Sequence, residues 1–64
     1  MTKEEINRLL DELKNGQMEE LSVTKEDFLT FRSVLVNRED FKHFHGIAQR
    51  GGGVVYTYNQ EERS

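Results

Sequence analysis

The sequence predicts a small α+β domain in which a three-stranded antiparallel sheet packs on two helices. The element order is helix, strand, helix, short helix, β-hairpin. Three observations predict it. Thr2 and Glu5 have the spacing of a capping box and open an amphipathic stretch. Thr24, followed by Lys25-Glu26-Asp27, opens a second stretch of helical character. Gly51-Gly52-Gly53 separates two apolar segments that alternate like the arms of a hairpin.

The first helix is expected over residues 3–14. Ile6, Leu9, Leu10 and Leu13 recur at the spacing that places them on one helical face. Glu4 and Glu5 in the first turn and Lys14 in the last suit the helix dipole. Asn15-Gly16 ends it, with Gly16 free to adopt positive φ. Gln17 to Val23 reads as a short strand, because Leu21 and Val23 alternate with Glu20 and Ser22. Its glutamates fit an edge position, where charge deters unwanted pairing.

The second helix is expected over residues 24–36, with Thr24 as its cap and Phe28, Phe31 and Leu35 on one face. Leu29 and Val36 fall off that stripe, so the helix is expected to be covered on more than one side. Asn37 is expected to cap a short turn from Arg38 to His43, pointing Phe41 and Phe44 inward. Phe44 to Gln49 and Val54 to Tyr58 then form the hairpin arms around Arg50-Gly51-Gly52-Gly53. Val54, Tyr56 and Tyr58 share one face of the second arm. Which residues of the first arm join them depends on register, and a slip of one residue reverses the answer. Residues 1–59 thus read as one domain, and residues 60–64 as a polar, frayed tail. This element order coincides with that of a winged helix-turn-helix. The analogy is topological, since Asn37 to His43 is short for a recognition helix and the turn before it has no glycine.

Composition narrows the function classes. A chain of 64 residues supports one domain with a thin core, so self-association is an expected source of added stability. There is no cysteine, which excludes disulfides, thiol nucleophiles and thiolate zinc ligands. A secreted chain this short usually needs such staples, so a cytoplasmic location is expected. No apolar run approaches the ~20 residues that span a bilayer, and Met1-Thr2-Lys3-Glu4-Glu5 has no stretch of signal-peptide type. No membrane association is expected.

The net charge is −3, but it is unevenly spread. Residues 1–30 hold eight acids against four bases, while residues 31–50 hold Arg32, Arg38, Lys42 and Arg50 against Glu39 and Asp40. With Tyr56 or Tyr58 for stacking, the basic residues make up a candidate nucleic-acid face, tipped by Arg50 on a glycine-rich wing. The plainer reading leaves these bases as solvated surface and the tyrosines as sheet core.

Other chemistry has less support. His43 and His45, joined by Asp40 or Glu39, supply enough donors for a metal only if a helical turn and a strand point them the same way. No metal or cofactor is expected. The acids come as neighbours in sequence, such as Glu4-Glu5 and Glu39-Asp40, which do not face each other on a helix. No serine sits in a glycine-flanked elbow, so catalytic residues are not expected. A strand rather than a helix follows the three glycines, which favours a turn over a phosphate cradle.

The expected role is therefore a non-enzymatic protein-interaction or regulatory module, with self-association or a protein partner. A sheet with only two helices leaves apolar surface open, and Ile47, Val54, Tyr56 and Tyr58 are the residues expected to carry it. The alternative is a winged-helix-like nucleic-acid binder using Arg32, Arg38, Lys42 and Arg50.

Overall fold

A computed structural model describes residues 1–60 of the chain. Helix α1 spans Lys3–Lys14, strand β1 Leu21–Val23, helix α2 Lys25–Leu35, strand β2 Phe44–Ala48 and strand β3 Val54–Tyr58. A single 3-10 turn, Phe41–His43, precedes β2. The α+β class and the antiparallel three-stranded sheet follow the sequence reading. The polar tail expected over 60–64 lies, from residue 61 onward, outside the described residues.

The ends of α1 explain its position. Glu5 N donates to Thr2 Oγ1 at 3.1 Å and Thr2 N donates to Glu5 Oε1 at 3.2 Å, completing the capping box. At the other end Gly16 has φ +80°, and the N–H groups of Gly16 and Gln17 donate to the carbonyls of Leu13 and Glu12. That reversal occupies part of the segment expected to begin the first strand. The strand is accordingly confined to Leu21–Val23 rather than starting at Gln17.

Thr24 precedes α2 as expected, but its side chain caps no backbone N–H. Its hydroxyl donates instead to Asp27 Oδ2 at 3.1 Å. Asn37 likewise does not open the next turn; its side-chain amide donates back to Ser33 O at 2.8 Å and closes α2. Leu29 and Val36 are 75% and 46% exposed, so no described element covers α2 on its second side.

The sheet order is β1-β3-β2, with both neighbours of β3 antiparallel to it. Register assigns the faces. Leu21 and Val23 of β1 lie beside Tyr56 and Val54, and Phe44, Gly46 and Ala48 of β2 lie beside Tyr58, Tyr56 and Val54. These residues form the inner face. Leu21, Val23, Phe44 and Tyr56 join Ile6, Leu10 and Leu13 of α1 and Phe31, Val34 and Leu35 of α2 in the core. Ser22, His45, Ile47, Val55 and Thr57 alternate onto the outer face, away from that core.

Two glycine roles matter for the hairpin. Gly51 and Gly52 have φ +87° and +93°, which lets the chain reverse at the expected place. Gly46 is required for a different reason. A Cβ there would sit 2.9 Å from Tyr56 Cε1 and 3.1 Å from Val54 Cγ1, so the tyrosine ring lies over bare backbone.

Candidate functional site

β2 is an edge strand, and its hydrogen-bond pattern fixes what that edge offers. Gln49 N donates to Gly53 O and Asn59 N donates to His43 O, both at 2.8 Å. In an antiparallel ladder, backbone groups alternate between the neighbour and the open side. The odd-numbered residues of this arm therefore bond to β3. The N–H and C=O groups of Gly46 and Ala48, and the C=O of Phe44, point away from it. The Phe44 N–H is used by Phe41 O.

β2 carries no Lys, Arg, Asp, Glu or Pro, the residues that usually deter edge pairing. On its inner face Gly46 is overlain by the Tyr56 ring and Ala48 carries only a methyl group. A groove of about 380 Å³ lies between α2 and the β2–β3 hairpin. Phe28, Leu35 and Val36 line it from α2, and Phe41 from the 3-10 turn. Phe44, Val54 and Tyr56 form its deeper wall, and Arg32 stands at its margin.

The residues expected to carry an interaction surface divide between two faces. Tyr56 is only 6% exposed and packs on Phe31, with ring centroids 4.9 Å apart, so it is a core residue and not an open anchor. Tyr58 is half-buried against Phe44 and His43, at centroid distances of 5.1 and 5.4 Å. Val54 is half-buried on the groove wall. Ile47, 59% exposed, lies on the outer face beside Val55 and shares no surface with the other three. The expectation that Tyr56 carries open surface is thereby corrected, because the face it shares with Val54 and Tyr58 is the one that packs on the helices.

Of the four bases expected to line a nucleic-acid face, one, Arg38, is drawn into ion pairs. Arg38 Nε and Nη2 donate to Asp40 Oδ1 and Oδ2 at 2.9 and 3.1 Å, a bidentate pair. Nη2 also reaches Asp11 Oδ1 at 2.8 Å, and Nη1 reaches Asn7 Oδ1 at 3.0 Å. Lys14 adds a weaker pairing to Asp40 at 3.8 Å. Arg38 thus ties α1 to the segment leading into β2, and its guanidinium lies 5.9 Å from the Phe44 ring centroid. The guanidinium hydrogen bonds hold the Asp40 carboxyl below the usual aspartate range, against the opposing effect of partial burial. Asp40 in turn pushes the Arg38 pKa further up. Arg32, Lys42 and Arg50 are exposed and have no ion pair among the described residues.

His43 and His45 do not converge. His43 Nδ1 lies 2.9 Å from Asn59 O, and its ring stacks on Tyr58. His45 is on the outer face, and its Nε2 is buried without a hydrogen-bond partner among the described residues. No cluster of three His, Cys, Asp or Glu with metal-binding geometry occurs among the described residues. No helix among them is long and apolar enough to cross a membrane.

Sequence reasoning missed the groove. Its wall residues Phe28, Leu35, Phe41 and Phe44 read in the sequence as inward-facing core. The available signal was the alternation Phe44-His45-Gly46-Ile47-Ala48, which puts small residues at consecutive inward positions of an uncharged strand. Neither the curated proteins nor the solved structures gave a match to this chain. A family model described as YkzS-like protein does match, over residues 3–57. That span runs from the first residue of α1 into β3, taking in the groove and the free edge, and the chain belongs to the YkzS-like protein family.

Proposed function

We propose that the chain is a small, non-enzymatic interaction module of the cytoplasm that binds a protein segment along β2. The observation that carries this reading is the free edge itself. Phe44, Gly46 and Ala48 offer backbone groups that have no partner among the described residues, on a strand without charge and beside an apolar groove. An added strand would gain main-chain hydrogen bonds from the edge and side-chain contacts from the groove. Adding a strand also covers apolar surface that the two helices leave open. The cytoplasmic part of the reading rests on the absence of cysteine.

The nucleic-acid alternative has less behind it. Arg38 is engaged by Asp40 and Asp11, and the segment corresponding to a recognition helix is one 3-10 turn, too short to fill a major groove.

Peptides selected from a random display library against the folded chain test the reading. The expected winners shift the amide resonances of Gly46 and Ala48 and lose binding to Ala48→Pro. Proline there removes an outward N–H without breaking the β3 ladder. Winners that shift only α1 or outer-face resonances, and bind Ala48→Pro equally well, would contradict it.

A further inference from the structure

The charge around β2 points to what the edge binds. We propose that its occupant is an extended segment of a partner protein, acidic at both ends and apolar at alternate positions between. This rests on the reading of β2 as the binding edge.

The ends of the site are cationic. Lys42 lies just before β2 and Arg50 just after it, and Arg32 stands at the groove margin. All three are exposed, and none is ion-paired among the described residues. By contrast the fourth base of this region, Arg38, is consumed by Asp40 and Asp11. None of the described residues that line the groove is acidic. Most acids fall in residues 1–30, which supply α1, the connection to β1 and the first turn of α2, and of the two nearer to β2 Asp40 is taken up by Arg38 while Glu39 lies three residues before Lys42. A strand laid along β2 therefore meets an apolar centre and a positive charge at each end, and carboxylates at its own ends complement both.

The groove sets the alternation. Side chains of a paired strand point alternately to the two faces of the sheet. Every second one would enter the groove lined by Phe28, Val36, Phe41 and Ala48. Those positions call for apolar residues.

The same charges disfavour a second copy. A two-fold antiparallel pairing centred on Gly46 is the register that matches all three outward-facing residues with one another. It brings the turn that carries Lys42 to the end of the strand where Arg50 of the second copy lies, so like charges gather at both ends.

Two fluorescein-labelled nonapeptides with the same alternating valine–threonine centre provide the test, one ending in glutamate at both ends and the other in lysine. Anisotropy titrations should show the glutamate-ended peptide binding about tenfold tighter, since two exposed charge pairs differ between them. Lys42→Glu combined with Arg50→Glu, both at exposed positions, should reverse that preference. Ala48→Pro should abolish both interactions while keeping the wild-type circular dichroism spectrum. Equal affinity for the two peptides, both lost in Ala48→Pro, would overturn the acidic assignment and leave the edge reading standing. Failure of both peptides, with wild type sedimenting as a dimer and Ala48→Pro as a monomer, would overturn it in favour of a second copy. Binding indifferent to Ala48→Pro, or no binding by a monomeric wild type, would remove the edge reading and this proposal together.

Discussion

The two edges of this sheet are built differently. β1 is three residues long, both of its inward side chains are buried under the helices, and glutamates at positions 19 and 20 precede it. Because Tyr56 and Val54 bond to Leu21 and Val23, only Ser22 within the strand turns its backbone groups to solvent. β2 is five residues long and uncharged, and it turns three residues outward over a groove that no described helix covers. An edge that is short, preceded by acids and backed by core along its length discourages pairing. A longer edge beside an open groove is where the proposed strand addition would occur. The contrast also locates the stability of the domain. The buried core lies where α1, α2, β1 and β3 meet, and β2 joins it through Phe44 and through its ladder with β3.

The most damaging test removes that attachment. Phe44 is 1% exposed, and Phe44→Ala should lower stability by about 3–5 kcal/mol in urea titrations. A loss of less than about 1 kcal/mol would show that β2 does not depend on its core anchor. Adjacent prolines give the sharpest contrast along the strand. Ile47 donates its N–H to β3, so Ile47→Pro should lower stability by about 3 kcal/mol. Ala48 faces out, and Ala48→Pro should stay within about 1 kcal/mol of wild type. Equal effects from the two would break the assignment of the free edge.

Arg38→Ala should lower stability by about 2 kcal/mol near neutral pH, because it leaves the partly buried Asp40 with only the distant Lys14. The pH dependence carries the sign. Arg38 lowers the folded-state pKa of Asp40, so its stabilisation is present above the ordinary aspartate value. It is lost as pH falls through the lowered one. Urea midpoints of wild type should therefore fall on acidification more than those of Arg38→Ala, and parallel curves would contradict the linkage. Gly46→Ala should have the smallest effect of these four sites that still destabilises, about 1 kcal/mol, because the new methyl must displace the Tyr56 ring edge. A stabilised variant would mean that the ring moves freely and the groove floor is soft.

Much of the fold was legible because its signals are local. Thr2 with Glu5, the Ile6 to Leu13 stripe and the glycine turn each act within one or two turns of chain, and all three appear as expected. Thr24 shows the limit of such signals. A threonine before two acids has the composition of a cap, yet its hydroxyl bonds to Asp27 rather than to the backbone. The site was less legible because it depends on partners distant in sequence. Nothing near Arg38 announces that Asp11, 27 residues earlier, would take its guanidinium. The inward turn of Tyr56 depends on register with two other strands. The groove brings together residues from α2, the 3-10 turn and both hairpin arms, and no local pattern records that meeting.

β2 presents an open edge, and amide hydrogen exchange in dilute solution reads that edge residue by residue. The N–H groups of His45 and Ile47 should be protected by β3, while those of Gly46 and Ala48, one residue away in each case, should exchange orders of magnitude faster. Equal protection at all four positions would contradict the account.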